Sequence, residues 1–119
     1  MENIVESSTM EYQPFPIPGA TADLLFVKLL NVDTKYGPAF AELKMEAGAF
    51  IPAHIHHKTE EQHYVLEGDF INDGIVYGPG SFFCHDIGQV HGPHATKHGC
   101  RVLFIQPSEV DPTDFTIAG

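Results

Sequence analysis

Eight histidines occur in the 119 residues, and all of them fall between His54 and His98. Such segregation points to a site. Its most suggestive piece is His54-Ile55-His56. On a β-strand, side chains at i and i+2 share a face, so the two imidazoles would stand side by side and could share one metal ion. A helix cannot place an i, i+2 pair this way. A carboxylate follows at Glu61, with Glu60 a rival by adjacency, and only one of the two can face the same way as the histidines. If the chain turns back as a hairpin between His54 and Leu66, Glu61 returns beside the pair. His63 and Val65 then share its face, while Gln62, Tyr64 and Leu66 point away.

The elements that must position these groups are strands. Leu25–Leu30 is strand-like and almost wholly apolar, and Pro38–Met45 alternates, with Phe40, Glu42 and Lys44 on one side and Ala41, Leu43 and Met45 on the other. Shorter candidates are 51–56, 62–66, 70–71, 75–77, 81–84 and 101–106. Turn signals separate them: Gly37-Pro38, Glu67-Gly68-Asp69, Asn72-Asp73-Gly74, Gly78-Pro79-Gly80 and Gly92-Pro93. Asn72-Asp73-Gly74 between two apolar pairs predicts a tight hairpin. Many short strands with almost no helix signal predict an antiparallel sandwich or barrel. Residues 1–20 differ. Pro14, Pro16 and Pro18 alternate with Phe15 and Ile17, which predicts an extended arm whose apolar side chains need cover. One domain over 21–119 follows, and the tail from Ser108 would cap one end.

The run Gly48-x5-His54-x-His56-x4-Glu61-x6-Gly68 resembles the first cupin motif at each fixed position. Gly80-x5-Asp86-x-Gly88-x2-His91 is similar to the second, with Asp86 where proline is usual and Ala95 where asparagine is usual. The resemblance spans about 38–106. It implies an all-β fold, the cupin double-stranded β-helix or jelly-roll barrel. It also implies metal ligands His54, His56, Glu61 and His91. That donor set suits one divalent transition metal per chain: iron(II) first, with manganese, nickel, cobalt, copper or zinc as alternatives. One or two coordination positions would stay open for substrate. The stretch Tyr77-Gly78-Pro79-Gly80, His91-Gly92 and Phe104 resemble the acetylacetone dioxygenase and ChrR-type cupins, the first iron enzymes cleaving β-diketones and the second zinc-binding sensory modules.

The other histidines carry weaker expectations. His63 would be a supporting hydrogen-bond donor or a satisfied core residue. His57 is expected to be exposed, His94 and His98 to be surface residues of a loop, and nothing assigns His85 a role. Tyr64, Phe82, Phe83 and Phe104 read as apolar residues of the barrel first and pocket walls second, and Cys100 as a small buried hydrophobe. Cys84 and Cys100 lack a C-x-x-C spacing, which fits two reduced thiols in a cytoplasmic protein. Six basic against sixteen acidic residues give a formal charge of −10, which disfavours nucleic acid and anionic membranes as partners. No apolar run approaches the ~18 residues of a membrane helix, and the acidic N-terminus has the wrong sign for a secretory signal. The expected function is a non-haem iron dioxygenase acting on a small diketone or phenolic ketone. A zinc- or manganese-dependent isomerase or lyase, and a non-catalytic sensory cupin, are the alternatives. A homodimer is expected, with the proline-rich arm as clasp.

Overall fold

In the computed structural model, residues 2–108, 111 and 113–118 are described. They form a single turn of 3-10 helix at Ser7–Thr9 and thirteen strands: β1 (Gln13–Pro14), β2 (Leu25–Asn31), β3 (Ala39–Met45), β4 (Phe50–Ile51), β5 (His54–Ile55), β6 (Glu61–Gly68), β7 (Phe70–Asn72), β8 (Ile75–Tyr77), β9 (Phe82–His85), β10 (Val90–His91), β11 (His94–Ala95), β12 (Cys100–Gln106) and β13 (Thr116–Ile117). Every pairing between them is antiparallel.

Six strands make one sheet in the order β1-β2-β3-β12-β6-β9, and the others make two shorter sheets, β10-β5-β13 and β4-β11-β7-β8. The shorter sheets are two pieces of one interrupted layer. Ile51 pairs with His94 and His54 with His91, so β4–β5 run against β10–β11 with a break at 52–53 opposite 92–93. Each break holds a proline, Pro52 or Pro93, which has no amide proton to give to a ladder. The core lies between the layers. Leu25, Leu43, Met45, Val65, Cys100 and Val102 of the large sheet meet Ile51 and Phe70 of the small ones. This is an all-β, antiparallel barrel of the kind that the motif resemblance implies.

Alternation along β3 places Leu43 and Met45 inside, as its pattern predicts. Glu42, on the other face, is nevertheless buried. Arg101 donates to it and Lys28 stands 3.9 Å away, so the charge is covered by cations rather than by the core. Asp73 and Gly74 join β7 to β8 as a two-residue turn with φ of 50° and 80°. Both values are positive, as a type I′ hairpin requires. The arm pairs through Gln13 and Pro14 with Val27 and Phe26, and its Phe15 and Ile17 pack against the core.

One expected pairing is absent. The segment from His54 to Leu66 is not a hairpin: β5 pairs with β10 and β13, and β6 with β12 and β9. Glu61 therefore reaches the histidine pair from the opposite layer of the barrel, not from a neighbouring strand.

Candidate metal centre

His54 and His91 face each other across the β5–β10 pair, and His56 lies one residue beyond β5. Their ring centroids are 5.0 Å apart for His54–His56, 5.2 Å for His54–His91 and 5.0 Å for His56–His91. One nitrogen from each lies within 4.8 Å of the other two.

The surroundings fix which nitrogens are available. His54 Nδ1 donates to the Pro52 carbonyl at 2.8 Å, and His56 Nδ1 donates to the Asp114 carbonyl at 2.6 Å. A carbonyl only accepts, so each Nδ1 carries the proton and Nε2 is the ligating atom. Neither nitrogen of buried His91 has a hydrogen-bond partner. Burial lowers the pKa of His54 and brings that of His91 down to about 3. Both are neutral at physiological pH, with lone pairs free. Burial also lowers His56, but the Glu61 carboxylate and the Asp114 carbonyl outweigh it and raise that pKa. A metal bound at His56 Nε2 would take the place of the contact that nitrogen makes with Glu61 Oε2. Three converging imidazoles, one orphaned on both nitrogens, suit a borderline divalent metal.

Glu61 is buried, and each of its oxygens is engaged. Oε2 is 2.8 Å from His56 Nε2 and accepts from Gln106 Nε2 at 3.0 Å, while Oε1 accepts from His63 Nε2 at 2.6 Å. Burial alone would raise its pKa, but donation from His56 and His63 holds the carboxyl well below the usual range. The carboxylate stays charged inside the barrel because two imidazoles serve it. Glu60 turns outward and accepts from the Ser108 hydroxyl at 2.7 Å.

The tail, expected to cap one end, clamps the histidine site itself. Asp114 accepts from the His57 and Lys58 amides at 2.7 and 2.8 Å, β13 pairs with β5, and the Phe115 ring stacks on His54 at 4.4 Å. A cavity of about 400 Å3 opens onto His54, His56 and Glu61, walled by Val27, Leu43, Phe104 and Phe115.

His63 shares the interior with Glu61, as expected, and stacks on Phe104 at 4.4 Å. His57 and His98 are exposed. His94, expected on the surface, is 1% exposed. It begins a two-residue strand pairing with both β4 and β7, which turns its side chain inward. His85 is also buried and stacks on His91 at 4.1 Å. Tyr64 faces outward, as the alternation predicts, and is 39% exposed; Phe82 is 58% exposed, because it alternates with Phe83, its inward neighbour. The concentration of histidines between 54 and 98 was the available signal for His85 and His94. Gln106 and Phe115 carried none.

The same architecture recurs in solved structures. The polyketide cyclase RemF from Streptomyces resistomycificus superposes with a TM-score of 0.78 at 21% identity, over 100% of this chain and 87% of that one. An acetylacetone dioxygenase from Acinetobacter johnsonii gives 0.75 at 19% identity, covering 99% and 84%. A predicted oxalate decarboxylase from Thermotoga maritima gives 0.72 at 17%, covering 98% and 100%. At these identities the likeness establishes the fold. No curated protein matches the sequence. The family profile described as the ChrR Cupin-like domain matches residues 1–110, nearly the whole length, and the chain belongs to that family of cupins.

Proposed function

We propose that this chain is a metal-dependent cupin enzyme of the non-haem iron dioxygenase type, acting on a small β-diketone or phenolic ketone. The observation that carries the reading is the histidine trio of His54, His56 and His91 beside a largely apolar cavity, which His54, His56 and Glu61 line. A site of that shape takes an organic molecule with a few oxygens at one end. Acetylacetone and polyketides both carry 1,3-related carbonyl oxygens, and proteins named for acting on them share this fold. His54, His56 and His91 would hold the metal, with Glu61 completing the set. When bound, iron(II) would supply Lewis acidity and one-electron chemistry toward dioxygen.

The chain's own residues prepare that site. The Pro52 and Asp114 carbonyls hold two imidazoles in one tautomer. Gln106 and His63 keep Glu61 ionised and oriented. Phe104, Phe115 and Leu43 exclude water and offer flat apolar contact to the substrate body. The test is oxygen uptake by anaerobically purified, iron-loaded protein given acetylacetone or a phenolic ketone. Uptake matched to substrate loss, and absent in the zinc-loaded form, is expected.

Membership of the ChrR cupin-like family favours a second reading, a non-catalytic sensory module. No turnover with any metal, together with metal-dependent stabilisation, would replace the first reading with this one. Substrate conversion by the zinc or manganese form without oxygen uptake would instead make the chain an isomerase or lyase.

A further inference from the structure

A second set of imidazoles lies deeper in the barrel. His63 of β6, His85 of β9 and His91 of β10 are 0%, 7% and 0% exposed. One nitrogen from each lies within 4.8 Å of the others. Their ring centroids are 5.2 Å apart for His63–His85, 4.1 Å for His85–His91 and 6.2 Å for His63–His91. His63 Nδ1 and both nitrogens of His85 and of His91 have no hydrogen-bond partner. Five orphaned ring nitrogens in one place are costly, since a buried polar atom without a partner has given up its hydrogen bonds to water and gained none in return. A fold that gathers them needs something to satisfy them.

Glu61 adds direction. Its Oε1 accepts the His63 Nε2 proton, leaving the His63 Nδ1 lone pair unprotonated, and its Oε2 faces His56 of the outer trio. One carboxylate therefore stands between the two histidine sets. A carboxylate backing an imidazole is the usual support for a metal-ligating histidine.

We propose that His63, His85 and His91 form a second transition-metal position, inside the barrel, that shares His91 with the outer trio. A neutral imidazole has one lone pair, so His91 serves one position at a time and the ion alternates between an outer, cavity-facing seat and an inner, all-histidine seat. Soft-to-borderline ions such as cobalt(II), nickel(II) or zinc(II) suit the inner set, which has no carboxylate ligand of its own.

The test is cobalt(II) titration of metal-free protein, followed by visible absorption and equilibrium dialysis. The variant carrying His54→Ala and His56→Ala is expected to bind one equivalent of cobalt per chain. Adding His85→Phe should weaken that binding by more than the roughly 10- to 100-fold that loss of a supporting contact costs. If the double variant fails to fold, His54→Gln alone serves: its retained cobalt should then depend on His85. No cobalt binding by the folded double variant, or binding indifferent to His85→Phe, would overturn the inner position. The readout is binding with the outer trio broken, so it is independent of whether the chain is a dioxygenase.

Discussion

His91 is the residue on which both histidine sets turn. It is fully buried, makes no hydrogen bond and stands opposite His54. Its conversion to alanine should therefore remove metal binding outright. Any ion that binds only the folded chain stabilises it by about 2.7 kcal/mol when free metal is 100 times Kd. The wild type should show a metal-dependent rise in Tm, abolished by a chelator, and His91→Ala should show none. A rise of equal size in His91→Ala would place the metal elsewhere. Asp114 supports the same site from the tail. Asp114→Ala strands two amides, of His57 and Lys58, and should cost about 1–3 kcal/mol while leaving the His56 hydrogen bond, which goes to the backbone carbonyl. Weaker metal binding without its loss is the expected result of a titration.

Among the elements, the turn after β6 is the most constrained. Gly68 has φ of 83°, and a Cβ built there would lie 2.1 Å from the Gly99 carbonyl oxygen. Backbone on both sides cannot yield, so Gly68→Ala should cost at least about 2 kcal/mol and lower Tm by on the order of 8 °C in a thermal melt. Beside it, Asp69 accepts from the Thr96 hydroxyl and the Lys97 and His98 amides at 2.8–3.0 Å. Burial pushes its carboxyl up, but these donors outweigh it and hold the pKa below the ordinary value. A depressed carboxylate stabilises fully above its unfolded pKa and loses that contribution as pH falls through the folded one. The Tm gap between wild type and Asp69→Asn should therefore be widest near neutrality and close as the pH falls below the ordinary aspartate range. A constant gap would show that the carboxylate's charge is irrelevant.

The sequence spoke clearly at this scale where period and turn chemistry act locally. The alternation of β3, the Asp73-Gly74 turn and the inward set Glu61, His63 and Val65 all follow from rules spanning a few residues. What it hid is non-local. Which strand lies beside β5 depends on chain 35 or more residues away, at Val90–His91 and Thr116–Ile117. The two-residue strands that turn His91 and His94 inward are too short to show alternation at all. Glu61 was placed beside the histidine pair by the wrong route, because the barrel interior brings opposite layers as close as neighbouring strands.

At the scale of the whole molecule, the surface that is left uncovered is uneven. Among the described residues, β8 pairs only with β7 and β9 only with β6, so each ends a sheet. Ile75 and Val76 on β8 are 58% and 62% exposed, and Phe82 on β9 is 58% exposed. An apolar sheet edge invites pairing with another chain. We propose that two copies associate through β8, as a homodimer. Light scattering should then give a mass near twice 13.1 kDa at micromolar concentration, and Val76→Lys should return it to the monomer. Charge adds a further sign. Each copy carries −10, and that field opposes association over distances of about 10 Å at 0.1 M salt. An apolar contact between like-charged chains should therefore tighten as salt screens the repulsion, whereas one held by ion pairs would loosen. A dimer that strengthens from low to moderate ionic strength fits the edge; a monomer throughout, or a dimer that dissolves with salt, does not.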